Sequence, residues 1–404
     1  MDTAKNAKYR SKFIFSWVLI LILVIPWGGK PGQVSAQASA GSLSYIVQGK
    51  EVSRLAGLVE KYGGTVTSRL EIIRGVGALL SPEAAASLKN EPGVIAVISN
   101  DRMEANGRPD PSSNMQVNGS SIPATDYPDV VGAQAVWKQG VNGANVTVAV
   151  VDTGLGWHPG LFKGVNGKPN GRIVGWKDFV EDQSHPVDPN GHGTHVAGVI
   201  ANSQVGADGE WNGVAPGVSL VGVRVADEKG VATYERVIQG IQWIVDHQAE
   251  LQIRVLNFSM SAAVQSPYWA DPVNQALTAA WEKGIVVVTA AGNQGPKALS
   301  VGVPGNDPYL ITVGAFTDAY TPSDWKDDYI PAFSSAGPTR DGFIKPDLVA
   351  PGGHIVSTML PSSYLARNNP DNRVAGQYFT MAGTSQSAAA VSGIAARRGG
   401  RRRR

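Results

Sequence analysis

The run Val146-Thr147-Val148-Ala149-Val150-Val151, closed by Asp152-Thr153-Gly154, sets the architecture. Its apolar side chains barely alternate with polar ones, so a strand here needs cover on both faces. Similar runs recur at residues 219–225, 255–258, 285–290 and 309–313, and helical patterns lie between them, notably 192–201, 233–248 and 272–283. Such strands alternating with helices predict an α/β fold, a mainly parallel central sheet in three layers with helices on both faces. Functional side chains in such sheets collect at the carboxyl ends of the strands. Asp152 is therefore the first candidate, although an Asp before Thr-Gly also has a plain use as a turn former.

Upstream lies a smaller unit. Leu43-Ser44-Tyr45-Ile46-Val47 alternates like a half-buried strand, and Val52, Leu55, Ala56, Val59 and Tyr62 share a helical face that Gly63-Gly64 ends. Residues 65–72 and 75–80 read as strands. Ser81-Pro82-Glu83 opens a second helix with a capping serine, a first-turn proline and an acid. Glu91-Pro92-Gly93 stops it, and 94–98 supplies a last strand. The β-α-β-β-α-β order over 43–105 is ferredoxin-like α+β. Residues 106–125, rich in Asn, Pro, Ser and Gly, are expected to be an exposed linker that is easily cut, with the main domain spanning 126–396.

The 404 residues, 43% hydrophobic with 48 Gly and 25 Pro, suit a loop-rich globular chain of two or three domains. Cysteine is absent, which excludes disulfides, thiolate catalysis and zinc-thiolate sites. In residues 1–38, Lys5, Lys8, Arg10 and Lys12 precede the apolar run 13–25, and Ala36-Gln37-Ala38 closes the segment. This is the pattern of a cleaved secretory signal peptide, and the run is shorter than the ~20 residues a membrane span needs. The expectation is a secreted, extracellular protein that meets the membrane only in transit. At the other end Arg397-Arg398-Gly399-Gly400 and Arg401 to Arg404 interrupt an Ala-rich helix without a cap. Residues 397–404 are expected to lie outside the fold and to mark a truncated chain. Without these two ends 24 Lys and Arg stand against 32 Asp and Glu, so the overall charge of +2 gives no ground for a nucleic-acid partner.

Three further stretches carry chemistry. Asn190-Gly191-His192-Gly193-Thr194-His195 sets a histidine between glycines at a helix start, where backbone can approach closely, and makes His192 a candidate general base. No Glu or Cys completes a metal site with His195, which is expected to be structural. Ala290-Ala291-Gly292-Asn293 ends a buried strand with an amide that could donate to a developing oxyanion. Gly383-Thr384-Ser385-Gln386-Ser387-Ala388 opens a helix of small residues, placing Ser385 by free N–H groups at the positive end of the helix dipole. A serine at a helix start is otherwise most often a cap. The glycines of Gly154-Leu155-Gly156-Trp157-His158-Pro159-Gly160 miss the dinucleotide spacing, and Pro159 obstructs a helix there.

Together these stretches resemble the subtilases, the subtilisin-like serine proteases. The matching motifs, in order, are Val151-Asp152-Thr153-Gly154, Gly191-His192-Gly193-Thr194-His195, Gly213-Val214-Ala215-Pro216, Ala291-Gly292-Asn293, Phe333-Ser334-Ser335-Ala336-Gly337-Pro338, Lys345-Pro346-Asp347 and Gly383-Thr384-Ser385. The resemblance implies an endopeptidase with Ser385 as nucleophile, His192 as general base and then acid, and Asp152 as its orienting carboxylate. Asn293 and the Ser385 N–H would bind the oxyanion. It also implies that 43–105 is an inhibitory propeptide and folding chaperone, and that the linker holds the maturation site. Gly230-Val231-Ala232 and Ser259-Met260-Ser261 would pair with an extended polypeptide substrate, and Ala290, Ala291 and Gly292 would wall the pocket for the residue before the cut bond. No cofactor is required for the chemistry. A structural calcium ion is common in the family, and Asp178, Asp182 and Asp188 are its weak candidates here, without calcium-loop spacing. The protein is expected to act as a monomer.

The chain departs from the family at Gln386-Ser387-Ala388-Ala389, where Met-Ala-(Ala/Thr)-Pro is usual, at Gly160 in place of an acid, and at Ser261 in place of a glycine. The competing reading is a catalytically incompetent fragment or pseudoprotease that acts as a peptide-binding module.

Overall fold

The computed structural model describes residues 41–105, 107–110, 122–169 and 171–399. The expected signal peptide, most of the expected linker and residues 400–404 lie outside the described residues. The N-terminal unit comprises β1 (Leu43–Gly49), α1 (Val52–Lys61), β2 (Thr65–Leu70), β3 (Gly75–Leu80), α2 (Pro82–Leu88) and β4 (Val94–Ser99). Its antiparallel sheet has the order β2-β3-β1-β4, with Val47, Leu55, Val59, Val76, Leu80 and Leu88 in the core. The Ser81 hydroxyl accepts from the Ala84 N–H at 3.2 Å, the cap expected there. Only the end of the second strand differs from expectation, because residues 71–73 turn into a 3-10 segment.

Two short strands follow, β5 (Arg102–Ala105) and β6 (Arg108–Pro109). Then come α3 (Tyr127–Val130), α4 (Ala133–Trp137), β7 (Thr147–Asp152), α5 (Pro159–Phe162), β8 (Ile173–Asp178), α6 (His192–Ala201), β9 (Ser219–Arg224), β10 (Val231–Thr233) and α7 (Tyr234–Asp246). The chain continues through β11 (Ile253–Phe258), β12 (Met260–Ser261), α8 (Pro272–Glu282), β13 (Val286–Ala290), β14 (Ile311–Phe316), β15 (Leu348–Pro351) and β16 (Ile355–Thr358). It closes with α9 (Tyr364–Asn368), β17 (Tyr378–Ala382) and α10 (Thr384–Gly399).

Seven strands form one parallel sheet in the order β15-β14-β13-β11-β7-β9-β8. Period-2 geometry explains the two layers of helix. Val148 and Val150 of β7 face one core with α6 and α10, while Ala149 and Val151 face the other with α7 and α8. The five expected strands are all present, and β8 and β15 add the two edges. Helix α10 runs on past Ala396, and Arg397 is buried with its Nη1 donating to the Ala133 carbonyl at 3.4 Å. That residue packs with the fold, contrary to the expectation for 397–404.

The N-terminal unit docks on the main domain around Glu235, in the first turn of α7. One carboxylate oxygen accepts from the Thr67 and Ser68 hydroxyls at 2.6 Å each, and the other accepts from Asn100 at 3.2 Å. Met103 of β5 and Ile46, Leu70 and Ile73 join the α7/α8 core.

Candidate active site

Asp152 ends β7 and is fully buried. One oxygen accepts from the Thr153 N–H at 2.8 Å and meets Nδ1 of His192 at 2.6 Å. A proton on Nδ1 is thus held, and Nε2, which has no hydrogen-bond partner, is left as the basic nitrogen. Close packing makes the contact possible. A Cβ on Gly193 would lie 2.2 Å from the Gly154 carbonyl oxygen, so only glycine lets the start of α6 sit on the turn after β7.

A buried carboxylate holds that junction. Asp188 accepts from the Thr153 hydroxyl and the Gly191 N–H at 2.8 Å each on one oxygen, and from the Thr194 N–H at 2.7 Å and hydroxyl at 2.5 Å on the other. The Thr153 hydroxyl in turn accepts from the Gly193 N–H at 2.9 Å. One side chain therefore ties the residue after Asp152 to residues on both sides of His192. This role is a correction, since Asp188 was read as a calcium candidate. Its fellow candidates are also engaged elsewhere. Asp178 is buried, accepts from the N–H groups of Val180, Glu181 and Gln183 and pairs with Arg224 at 2.9 Å. Asp182 is exposed and pairs with Lys177 at 2.6 Å. The three do not converge on one point. Among the described residues the acids that do meet around a third ligand group are Asp126 and Asp318, and they enclose His354.

His195 lies inside α6 with Nε2 donating to the Ile355 and Phe379 carbonyls at 3.2 and 3.0 Å. Burial, with His192 nearby, pushes its imidazole down to about 3, so it is a neutral structural group.

Ser385 is the second residue of α10 and is wholly buried here. Its hydroxyl donates to the Ser259 carbonyl at 3.0 Å. Asn293, just beyond β13, accepts from the Thr384 N–H and hydroxyl at 3.0 Å each. An N–H can only donate, so the amide oxygen faces Thr384, and the residue itself lines the cleft. Gly292 N–H donates to the Thr384 hydroxyl at 3.2 Å, which ties the turn after β13 to the residue before Ser385.

The expected substrate strands are occupied by the chain itself. Strand β5 lies antiparallel between β10 and β12, with Met103 opposite Ala232, Glu104 opposite Val231 and Ser261, and Ala105 opposite Met260. Ala105 N–H donates to the Gly230 carbonyl at 3.0 Å, and Met103 is completely buried. Beyond the site β6 pairs with β17, Arg108 opposite Ala382, and the Arg108 guanidinium lies 4.5 Å over the Phe333 ring. Residues 107–110 are thus bound to the fold: Arg108 stays exposed, Gly107 and Pro109 are half-buried and Asp110 is buried, so that part of the expected exposed linker is only partly exposed. A cavity of about 620 Å³ opens beside this segment, lined by Ser261, Gly292, Asn293, Ser300 and Gly302 among others. Ala290 and Ala291, expected as pocket walls, are instead sealed in the sheet and its exit turn, leaving Gly292 as the contributor.

Comparison with known proteins gives the family. The model of the Subtilase family matches residues 143–398. Serine protease AprX of Bacillus subtilis (strain 168) is 40% identical over 263 residues, 64% of this chain, and the match spans 58% of that protein's length. Subtilisin E of the same organism is 29% identical over 392 residues, 94% of this chain and 86% of its own. In fold the chain is similar to fervidolysin from Fervidobacterium pennivorans, a keratinolytic enzyme related to subtilisin, with a TM-score of 0.64 and 24% identity over 88% of this chain and 54% of that one. The chain belongs to the subtilase family, the subtilisin-like serine peptidases.

Proposed function

We propose that the chain is a secreted serine endopeptidase made as a self-processing zymogen, with residues 43–105 as its inhibitor and the peptide bond on the N-terminal side of Gly107 as its first substrate. One observation carries the reading. The chain runs through the cleft with β5 on one side and β6 on the other, and a Cβ built on the Gly107 between them would lie 2.7 Å from His192 Nε2. A protein substrate would take the same path, its backbone pairing with β10 and β12. The charged start and apolar run of the first 38 residues support secretion.

In this mechanism the Ser385 hydroxyl leaves the Ser259 carbonyl, passes its proton to His192 Nε2 and attacks the carbonyl that precedes Gly107. Asp152 remains ionised, fixes the imidazole and stabilises its cation. The oxyanion is met by the Ser385 N–H and the Asn293 amide, beside side chains of Asp152, His192 and Ser385 that are already buried. Collapse breaks the C–N bond as the imidazolium gives its proton to the Gly107 nitrogen, leaving an ester on Ser385. Water, activated by the same imidazole, hydrolyses that ester and frees the serine. Subtilases need no cofactor for this chemistry.

Treatment of the purified chain with a fluorophosphonate tests the proposal. One adduct on Ser385, with peptide hydrolysis lost in both the labelled protein and Ser385→Ala, is expected. Hydrolysis that survives Ser385→Ala would overturn it, and binding of peptides without cleavage would favour the peptide-binding module.

A further inference from the structure

We infer that the cleft carries a subsite for an acidic residue at the fourth position after the cut bond, in which the backbone N–H of His354 takes the side chain and the side-chain amide of Asn372 holds the backbone carbonyl. This rests on the reading that the bond before Gly107 is the one cleaved, which makes Asp110 the fourth residue beyond it.

Asp110 is only 8% exposed although it follows a segment whose composition suits an open linker. One carboxylate oxygen accepts from the His354 N–H at 3.0 Å, and the Asp110 backbone carbonyl accepts from Asn372 Nδ2. Its own N–H approaches the Thr380 carbonyl at 3.5 Å, a weak continuation of the β6–β17 ladder. The ladder needs such support, because Pro109 offers no N–H to β17. Both partners are themselves buried, His354 at 3% and Asn372 at 8% exposure, so the donors are fixed before a ligand arrives.

The His354 backbone is the unusual part. Its φ of +39° lies in the left-handed region, sparsely used by residues with a side chain. The surrounding contacts hold that conformation. The imidazole Nε2 meets Asp318 at 2.7 Å and Asp126 at 3.7 Å, Nδ1 meets the Thr317 hydroxyl at 3.2 Å, and the Tyr320 ring stacks on it at 3.8 Å. The side chain is clamped by acids, so the strained backbone is left to present its N–H to the cleft. Selectivity then follows from desolvation. An acid takes the donor as a charge-assisted acceptor. Alanine leaves a buried N–H unpaired, and lysine sets further donors against the His354 N–H, which cannot accept them.

A series of quenched fluorescent peptides tests this with the matured enzyme. Each carries Ala-Asn-Gly-Arg-Pro followed by Asp, Asn, Ala or Lys, and product masses locate the cut. Cleavage before Gly is expected, with kcat/KM falling about ten- to a hundredfold from Asp to Ala, Asn between them and Lys lowest. Asn372→Ala is expected to lower kcat/KM for all four peptides by a similar factor, since that amide holds the backbone carbonyl. Equal turnover of the four peptides, with the cut still before Gly, would remove the subsite and leave the maturation reading standing. Cuts at another bond, or none, would refute the maturation reading and the subsite with it.

Discussion

Gly107→Ala should slow self-cleavage by about a hundredfold without unfolding the protein. A Cβ at this position would lie 2.5 Å from His192 Cδ2, 2.7 Å from Nε2 and 2.7 Å from Met381 Cε. Carbon atoms in contact settle at about 3.5–4.0 Å, so roughly 1 Å of movement is required. The Met381 methyl is the far end of a flexible chain and can yield. The imidazole cannot, because Asp152 grips it at 2.6 Å. The reacting peptide must therefore back out of the cleft, and a 1 Å misplacement costs on the order of 10² in rate. That is about 2.7 kcal/mol on the barrier. The assay is a time course of intact mass for the purified full chain, alongside Gly107→Val, which should be slower still. A melting curve of each variant in the Ser385→Ala background shows that the fold is retained. A half-time within about threefold of the parent, with the cut at the same bond, would refute the placement of Gly107 against the base.

Asn293→Ala should reduce kcat by roughly 10²–10³ with little change in KM, because the amide meets charge that exists only in the transition state. Equal losses in peptide binding and turnover would argue against that role. Asp188→Asn replaces a four-bond acceptor by a group that accepts at one atom only, and should lower both kcat and stability, the latter by about 2 kcal/mol or more, with KM nearly unchanged. Restoration of stability and activity by added calcium would instead return Asp188 to the role of a metal ligand. For His354, burial opposes the cation, but Asp126 and Asp318 outweigh it and raise the imidazole from its ordinary 6.5 to about 9. A pKa raised on folding stabilises fully below the unfolded value and is lost as pH climbs through the folded one. Asp318→Asn in the Ser385→Ala background should therefore cost about 1–2 kcal/mol near pH 6 in urea unfolding, and the gap should close toward pH 9 and above. A gap that stays constant across this range would contradict the ion pair.

The sheet and the motifs that meet at the candidate site were legible because their signals are local. Helix 192–201 was placed to the residue, since glycines bracket its start and an apolar run fills its body. Strands β5, β6, β10 and β12 have only two to four residues, too few for a period to show, and exist because of partners elsewhere in the chain. For β6 that partner is β17, some 270 residues later, and the composition of the stretch suits a linker, while residues 107–110 are paired and Asp110 is buried. The roles of Asp188, read as a weak calcium candidate, and of His354, not singled out at all, were hidden for a related reason. A loop acid and a histidine after two glycines look alike in sequence whether they face solvent or anchor a network, because the deciding partners are distant: donors from Thr153 and Thr194 for Asp188, and the accepting carboxylate of Asp318 for His354.

The most direct test is the N-terminus of the chain after it has been allowed to process itself. Incubation of the purified protein, followed by N-terminal sequencing and intact mass, should give a product beginning Gly107-Arg108-Pro109-Asp110, and Ser385→Ala should stay uncut. A processed chain beginning at any other residue, or the same product from Ser385→Ala, would contradict the account.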